Sequence, residues 1–320
     1  MTAAAPLFRV RTHAMPLCLL AALSTAASPE ARPEFSAEAI AAPLSPARAG
    51  DAIDASKAAG RDNAGHWEVD FFDDFDHFDA RNWQDQMLWV NDEDQCYVPD
   101  ARHGTREVSD GTLKLRMIDI GEALPCANRN KDGELHPPTR YFAARIASKN
   151  RREFVQGRWT ARLRVADSGQ HGMFPAWWLL GALNDEPPVE EADETVCWPL
   201  PGSGEIDIFE HHSDGGPDHY AARIIESNGE CGGGDWQASM LVHDADLDAF
   251  HEYAVAWDAA DMLFLIDGQE IYRLEGKSDL FREPLFAILN FAKIFPGPMN
   301  SPWVMEVDWV RHERWIDAGN

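Results

Sequence analysis

The chain is expected to fold as an all-β sandwich of two antiparallel sheets, and three observations carry that expectation. Short runs of strand composition recur, among them Gly111-Thr-Leu-Lys-Leu-Arg-Met117, Gly157-Arg-Trp-Thr-Ala-Arg-Leu-Arg-Val165, Glu252-Tyr-Ala-Val-Ala-Trp257 and Met262-Leu-Phe-Leu-Ile266. Gly, Pro, Asn and Asp punctuate them, and Asp267-Gly268 stands at a hairpin turn before Gln269-Glu-Ile271. Long amphipathic helical patterns are absent, so strands pack on strands. No internal repeat is visible.

Along the chain, Arg9, Arg11 and His13 precede an apolar run, Met15 to Leu23, and small residues from Ser24 to Ser28 follow it. This is the pattern of a secretory signal over residues 1–28, and the run is too short to cross a bilayer. Cys18 raises the alternative of a lipid anchor, but Met15-Pro16-Leu17 is a poor lipobox. Residues 29–65, rich in Ala, Pro, Ser and charge, read as a flexible linker. The folded domain is expected over 66–320, opening with the alternation of Trp67-Glu-Val-Asp-Phe-Phe-Asp-Asp-Phe75. The protein is therefore expected to be secreted or periplasmic.

With 54 acidic against 28 basic residues, the net charge is −26. Polyanion binding needs Lys and Arg, so nucleic acid and sulfated polysaccharides are disfavoured and neutral polymers remain. Acidic turns such as Asp73-Asp-Phe-Asp76 and Asp244-Ala-Asp-Leu-Asp248 read as solvated loops or cation sites. Twelve Trp and sixteen Phe supply core, and any Trp left exposed in a cleft offers a flat platform for a sugar ring. No later segment reaches the ~20 apolar residues of a membrane helix, so stable membrane insertion is not expected. A monomer is expected.

Beyond the leader stand Cys96, Cys126, Cys197 and Cys231. In an exported chain they allow up to two disulfides in three pairings. Cys96 with Cys126 and Cys197 with Cys231 is preferred, because each pair flanks loop-like segments on one side of the acidic strand described next. Zinc is the competing use, but no Cys-x-x-Cys pair is present.

Glu205-Ile-Asp-Ile-Phe-Glu210 places three carboxylates in one strand-like run. Strand alternation puts Glu205 and Asp207 on one face, and a one-residue β-bulge would return Glu210 to it. The Cα atoms of Glu205 and Glu210 would then lie roughly 13 Å apart. Leaning side chains could bring the carboxyl groups to about 5 Å, the spacing of a retaining glycosidase. A solvated acidic face is the bland alternative. Like charges on one face repel, however, and no Lys or Arg falls between Gly202 and Gly216 to offset them, which favours catalysis.

At these residues the chain resembles glycoside hydrolase family 16, whose bulged signature Glu-x-Asp-x-x-Glu reads here as Glu205, Asp207 and Glu210. The likeness extends from about Trp67 through Gly157 to Arg164, Phe174-Pro-Ala-Trp-Trp-Leu-Leu-Gly181, Phe250 to Trp257 and Val307 to Val310. It implies a concanavalin A-like jelly roll with a concave cleft, cutting β-linked polysaccharides internally, and the bulge resembles the laminarinase branch. It further implies Glu205 as nucleophile, Glu210 as acid/base, Asp207 as helper, and no cofactor for catalysis. A negative neighbour would raise the pKa of Glu210 while Glu205 stays ionised.

Trp178 and Trp198 match tryptophans of the family cleft, and Arg145 and Asn91 resemble positions that hold sugar hydroxyls. Asp74, the carbonyl of Gly111 and Asp308 match a structural Ca²⁺ site of oxygen ligands. The expected activity is endo-hydrolysis of β-1,3, or mixed β-1,3-1,4, linkages of a neutral glucan. The alternatives are a silent glucan-binding module, which would lack one of the acids, a transglycosylase, and a hydrolase of another β-linked polysaccharide. Three departures from the family stand out. The approach Trp198-Pro-Leu-Pro-Gly-Ser-Gly-Glu205 is two residues longer than usual and follows an acidic loop from Asn184 to Cys197. The segment after the catalytic strand offers no clear equivalent of the family's His. Lys293 replaces a Gly-Gly pair in the last cleft strand.

Overall fold

The computed structural model describes residues 65–227, 229–232, 237–259, 261–276, 281–300 and 302–317. The expected leader with Cys18, and the linker up to its last residue, lie outside the described residues. Gly65, assigned to the linker, instead opens the first strand.

In chain order the strands are β1 (Gly65–Asp73), β2 (Gln84–Asp85), β3 (Cys96–Tyr97), β4 (Arg106–Ser109), β5 (Thr112–Leu124) and β6 (Thr139–Ala143). There follow β7 (Arg145–Ala147), β8 (Glu153–Phe154), β9 (Gly157–Ala166), β10 (Met173–Gly181), β11 (Glu205–Glu210) and β12 (His219–Glu226). The last six are β13 (Gln237–Asp244), β14 (His251–Trp257), β15 (Asp261–Ile266), β16 (Gln269–Glu275), β17 (Leu285–Lys293) and β18 (Trp303–Asp317).

They form a sandwich. One sheet runs β16-β15-β14-β9-β18-β5-β6-β3, with β1 and β4 paired to β18 and β5. The other runs β13-β12-β11-β10-β17-β7-β2, with β8 on β17. All named ladders are antiparallel except the short β3–β6 pair. The jelly-roll β-sandwich expected from the sequence is the fold.

Alternation explains the first sheet. On β9, Trp159, Ala161, Leu163 and Val165 are buried while Arg158, Arg162 and Arg164 are part-exposed on the other face. On β5, Leu113, Leu115 and Met117 turn inward in the same way. Across the gap, Trp177 of β10 meets Trp159 edge to face, ring centroids 6.0 Å apart. The second sheet differs, because β17 is buried on both faces. Its inward Leu285, Ala287, Leu289 and Phe291 join the main core. Its outward Phe286 and Ile288 build a separate apolar floor with Ala147 and Leu180.

Local signals hold where they were strong. Asp267 and Gly268 take φ of 50° and 75° between paired Ile266 and Gln269, the left-handed pair that a type I′ turn requires. Disulfides join Cys96 to Cys126 and Cys197 to Cys231, the preferred pairing. In the acidic run at the end of β1, Asp74 and Asp76 are exposed as expected and Asp73 is not. Asp73 is buried and accepts hydrogen bonds from the Phe75 amide, Asn82 Nδ2 and Trp83 Nε1.

Candidate active site

The acids lie on the face of the second sheet that points away from the core, here the cleft face. Along β10, Ala176 pairs with Glu210, Trp177 with Phe209 and Trp178 with Asp207, so the ladder passes over Ile208. On the other side Asp207 pairs with Arg223 and Glu210 with Ala221, which confirms one extra residue in β11. Ile208 is the bulge. Ile206 and Phe209 therefore point into the core while Glu205, Asp207 and Glu210 share the cleft face, as the sequence spacing required.

Sequence-local charge counting missed the group that offsets these acids, because it comes from the neighbouring strand. Arg223 on β12 donates Nε to Asp207 Oδ2 at 2.7 Å and Nη2 to Glu210 Oε1 at 2.6 Å. One buried cation thus ties two of the three acids. The second oxygen of Glu210, Oε2, also lies 2.6 Å from Nη2 but outside hydrogen-bonding geometry, and it has no hydrogen-bond partner.

The electrostatics differ in cause from the expectation. Glu210 is pushed up to about 8, chiefly by burial and further by Asp207, against the opposing pull of Arg223. Glu205 is also raised, first by burial and then by Asp207, with which its carboxyl is hydrogen-bonded. Asp207 is raised by burial in spite of Arg223. Burial therefore shifts Glu205 and Glu210 in the same direction, where charged neighbours alone suggested a contrast. Burial thus pushes all three acids toward the neutral form, while the carboxyls beside Arg223 hold it charged.

Trp178, half-buried, is fixed beside them: its Nε1 donates to Asn290 Oδ1 at 2.7 Å, and Asn290 Nδ2 donates to Tyr97 Oη at 3.1 Å. Tyr97 in turn donates to Glu93, a buried carboxyl pushed up to about 7 mainly by desolvation. Trp198 packs on the apolar floor, and its buried Nε1 lacks a hydrogen-bond partner. Arg145 is buried, its guanidinium 4.9 Å over the Trp178 ring and bonded to Gln86 and Glu186. It braces the platform. Asn91 sits exposed at the tip of a turn with φ of 53°, and no hydrogen bond joins it to Trp178 or the acids.

The longer approach to β11 is accommodated by close backbone packing. The Gly181 amide donates to the Gly204 carbonyl, and a Cβ on Gly181 would meet the Gly202 carbonyl oxygen at 2.4 Å. Lys293 does not enter the cleft. The pleat turns it inward, where Nζ reaches Asp94 at 2.6 Å and lies 4.5 Å from the Tyr141 ring centroid. A histidine that sequence reasoning passed over is present instead: His212, two residues past Glu210, packs on Phe174 at 4.2 Å between centroids. Burial, with Arg223 nearby, pushes it down to about 3, so it is neutral. The signal was Phe174 itself, in step with Trp178 at strand period two.

Two of the expected calcium donors have protein contacts of their own. The Asp308 carboxylate is held by Arg162, and Asp74 accepts the Asp76 amide. Among the described residues, no group of three or more His, Cys, Asp or Glu side chains is arranged to hold a metal.

Comparison with known proteins places these features among relatives. Residues 95–310 match the family described as Glycosyl hydrolases family 16. The β-glucanase of Rhodothermus marinus is 27% identical over 279 residues, covering 80% of this chain and 88% of that protein. The endo-1,3-1,4-β-glycanase EglC of Rhizobium meliloti is 23% identical, and the alignment spans 75% of this chain but only 50% of EglC. The crystal structure of LamAcat from Zobellia galactanivorans superposes with a TM-score of 0.63 at 25% identity, over 77% of this chain and 97% of that one.

Proposed function

The chain belongs to Glycosyl hydrolases family 16, and from that premise we propose that it is an exported, retaining endo-β-glucanase cutting β-1,3 linkages of a neutral glucan, with mixed β-1,3-1,4 glucan as the second substrate. The observation that carries this is the bulged row of Glu205, Asp207 and Glu210 beside the fixed Trp178 ring. The R. marinus β-glucanase supports the substrate class. The leader pattern and two disulfides support export.

In the first step Glu205 attacks the anomeric carbon as a carboxylate, the proton it shares with Asp207 passing to Asp207. The glycosidic oxygen leaves with the proton of Glu210, whose Oε2 makes no protein hydrogen bond and lies beside Arg223 Nη2. In the second, water gives its proton to Glu210 and adds to the anomeric carbon, and the ester to Glu205 breaks. Arg223 keeps Asp207 and Glu210 in place throughout.

The test is product analysis on laminarin, lichenan, agarose and xyloglucan. Release of short oligosaccharides from laminarin or lichenan supports the proposal, and cleavage confined to agarose or xyloglucan overturns it. Binding without cleavage would indicate a silent module.

A further inference from the structure

The acidic loop from Asn184 to Cys197 returns to the cleft at one side chain, and nothing in the catalytic row accounts for it. The loop is anchored from beneath by Lys149, which is fully buried. Its Nζ donates to the carbonyls of Asn184 at 2.8 Å and Glu186 at 2.7 Å and pairs with Glu194 at 2.6 Å. Asn184 Oδ1 accepts the Glu186 amide, and Gln86 Nε2 donates to the Pro187 carbonyl. The Glu186 backbone is therefore held on both sides. Its carboxylate reaches over the cleft floor to Arg145 Nη2 at 3.0 Å, while Gln86 Oε1 accepts from Arg145 Nε at 2.7 Å. Those two bonds hold the guanidinium 4.9 Å over Trp178.

We propose that Glu186 is a positioning residue for substrate binding: it fixes Arg145 against Trp178, so that the ring presents one set tilt to a sugar. This rests on the glucanase reading above. A guanidinium held by a carboxylate and an amide has one orientation, and cation–π attraction carries that orientation to the ring. Without Glu186, Arg145 would seek other acceptors, and the Trp178 ring would keep only its bond to Asn290 as a fixed restraint. The acids, reached through Arg223 and not through this loop, would be untouched.

The experiment compares wild type, E186A and E186Q on laminarin, with laminaritetraose binding measured on each in an E205Q background. Glutamine keeps an accepting oxygen for Arg145. E186A is expected to raise KM and Kd about tenfold with kcat within about twofold, and E186Q to recover most of the loss. Unchanged KM in E186A, or a fall in kcat at constant KM, overturns the proposal. Should E186A fail to fold, E186M, which keeps the volume but no acceptor, takes its place under the same criteria. A wild-type protein that leaves laminarin and lichenan intact sinks the glucanase reading; an active wild type with an indifferent E186A sinks only the positioning role.

Discussion

Asp207 and Arg223 stand directly opposite each other across the β11–β12 ladder, joined at 2.7 Å. The same guanidinium continues to Glu210, so that carboxyl is held by a residue that neither its own strand nor its sequence neighbourhood supplies. Replacing Arg223 with Leu would leave two buried carboxyls without their cation. A loss of about 3–5 kcal/mol is expected in urea unfolding, together with a collapse of activity. A variant as stable as wild type would show that the pair is dispensable.

Glu205→Gln is expected to lower kcat by at least about 10³-fold while leaving the melting temperature within a few degrees of wild type. Proton NMR of the first-formed wild-type hemiacetal should show the β-anomer. An α-anomer would exclude a covalent intermediate on Glu205.

Activity should fall as pH rises past about 8, where Glu210 gives up the proton it donates. The stability linkage has the same sign. A carboxyl raised in the folded state contributes fully below its unfolded value near 4.5, and the contribution fades as pH climbs through about 8. A kcat/KM profile flat to pH 10 would contradict the assignment of Glu210.

Glu93→Gln isolates a second raised carboxyl. Glu93 titrates at about 7 in the fold, so its stabilisation is present below about 4.5 and lost as pH passes 7. The variant should therefore melt closer to, or above, wild type at pH 8 than at pH 5. Equal differences at both values would remove Glu93 from the linkage.

Each disulfide closes a long loop, with separations of 30 and 34 residues. Paired Cys→Ser replacement is expected to cost about 3–4 kcal/mol per bridge. Thermal melts of each double variant measure it.

Legibility in the sequence followed the range of the interaction. The row of acids and its bulge were readable because alternation is a local rule and the chain breaks it by one residue. The Asp267-Gly268 hairpin was readable for the same reason. Arg223 was not, since pairing β12 to β11 in register is needed before Asp207 finds its partner. Lys293 was assigned to the cleft by its place in the strand, whereas its parity along the pleat turns it inward beside Tyr141. His212 is marked only by the Phe174 ring it packs against on a neighbouring strand. Burial was the other hidden quantity: it raises Glu205 as well as Glu210, where counting charged neighbours suggested a contrast.

The bulge at Ile208 makes residue count in this strand as binding as residue identity. Shortening β11 by that one position would rotate Glu210 toward Phe209's side and offer its carboxyl to the hydrocarbon interior, although every acid would still be encoded. Recombination or library design across this segment should therefore hold the interval from Asp207 to Glu210 fixed and place length variation in the approach before Glu205.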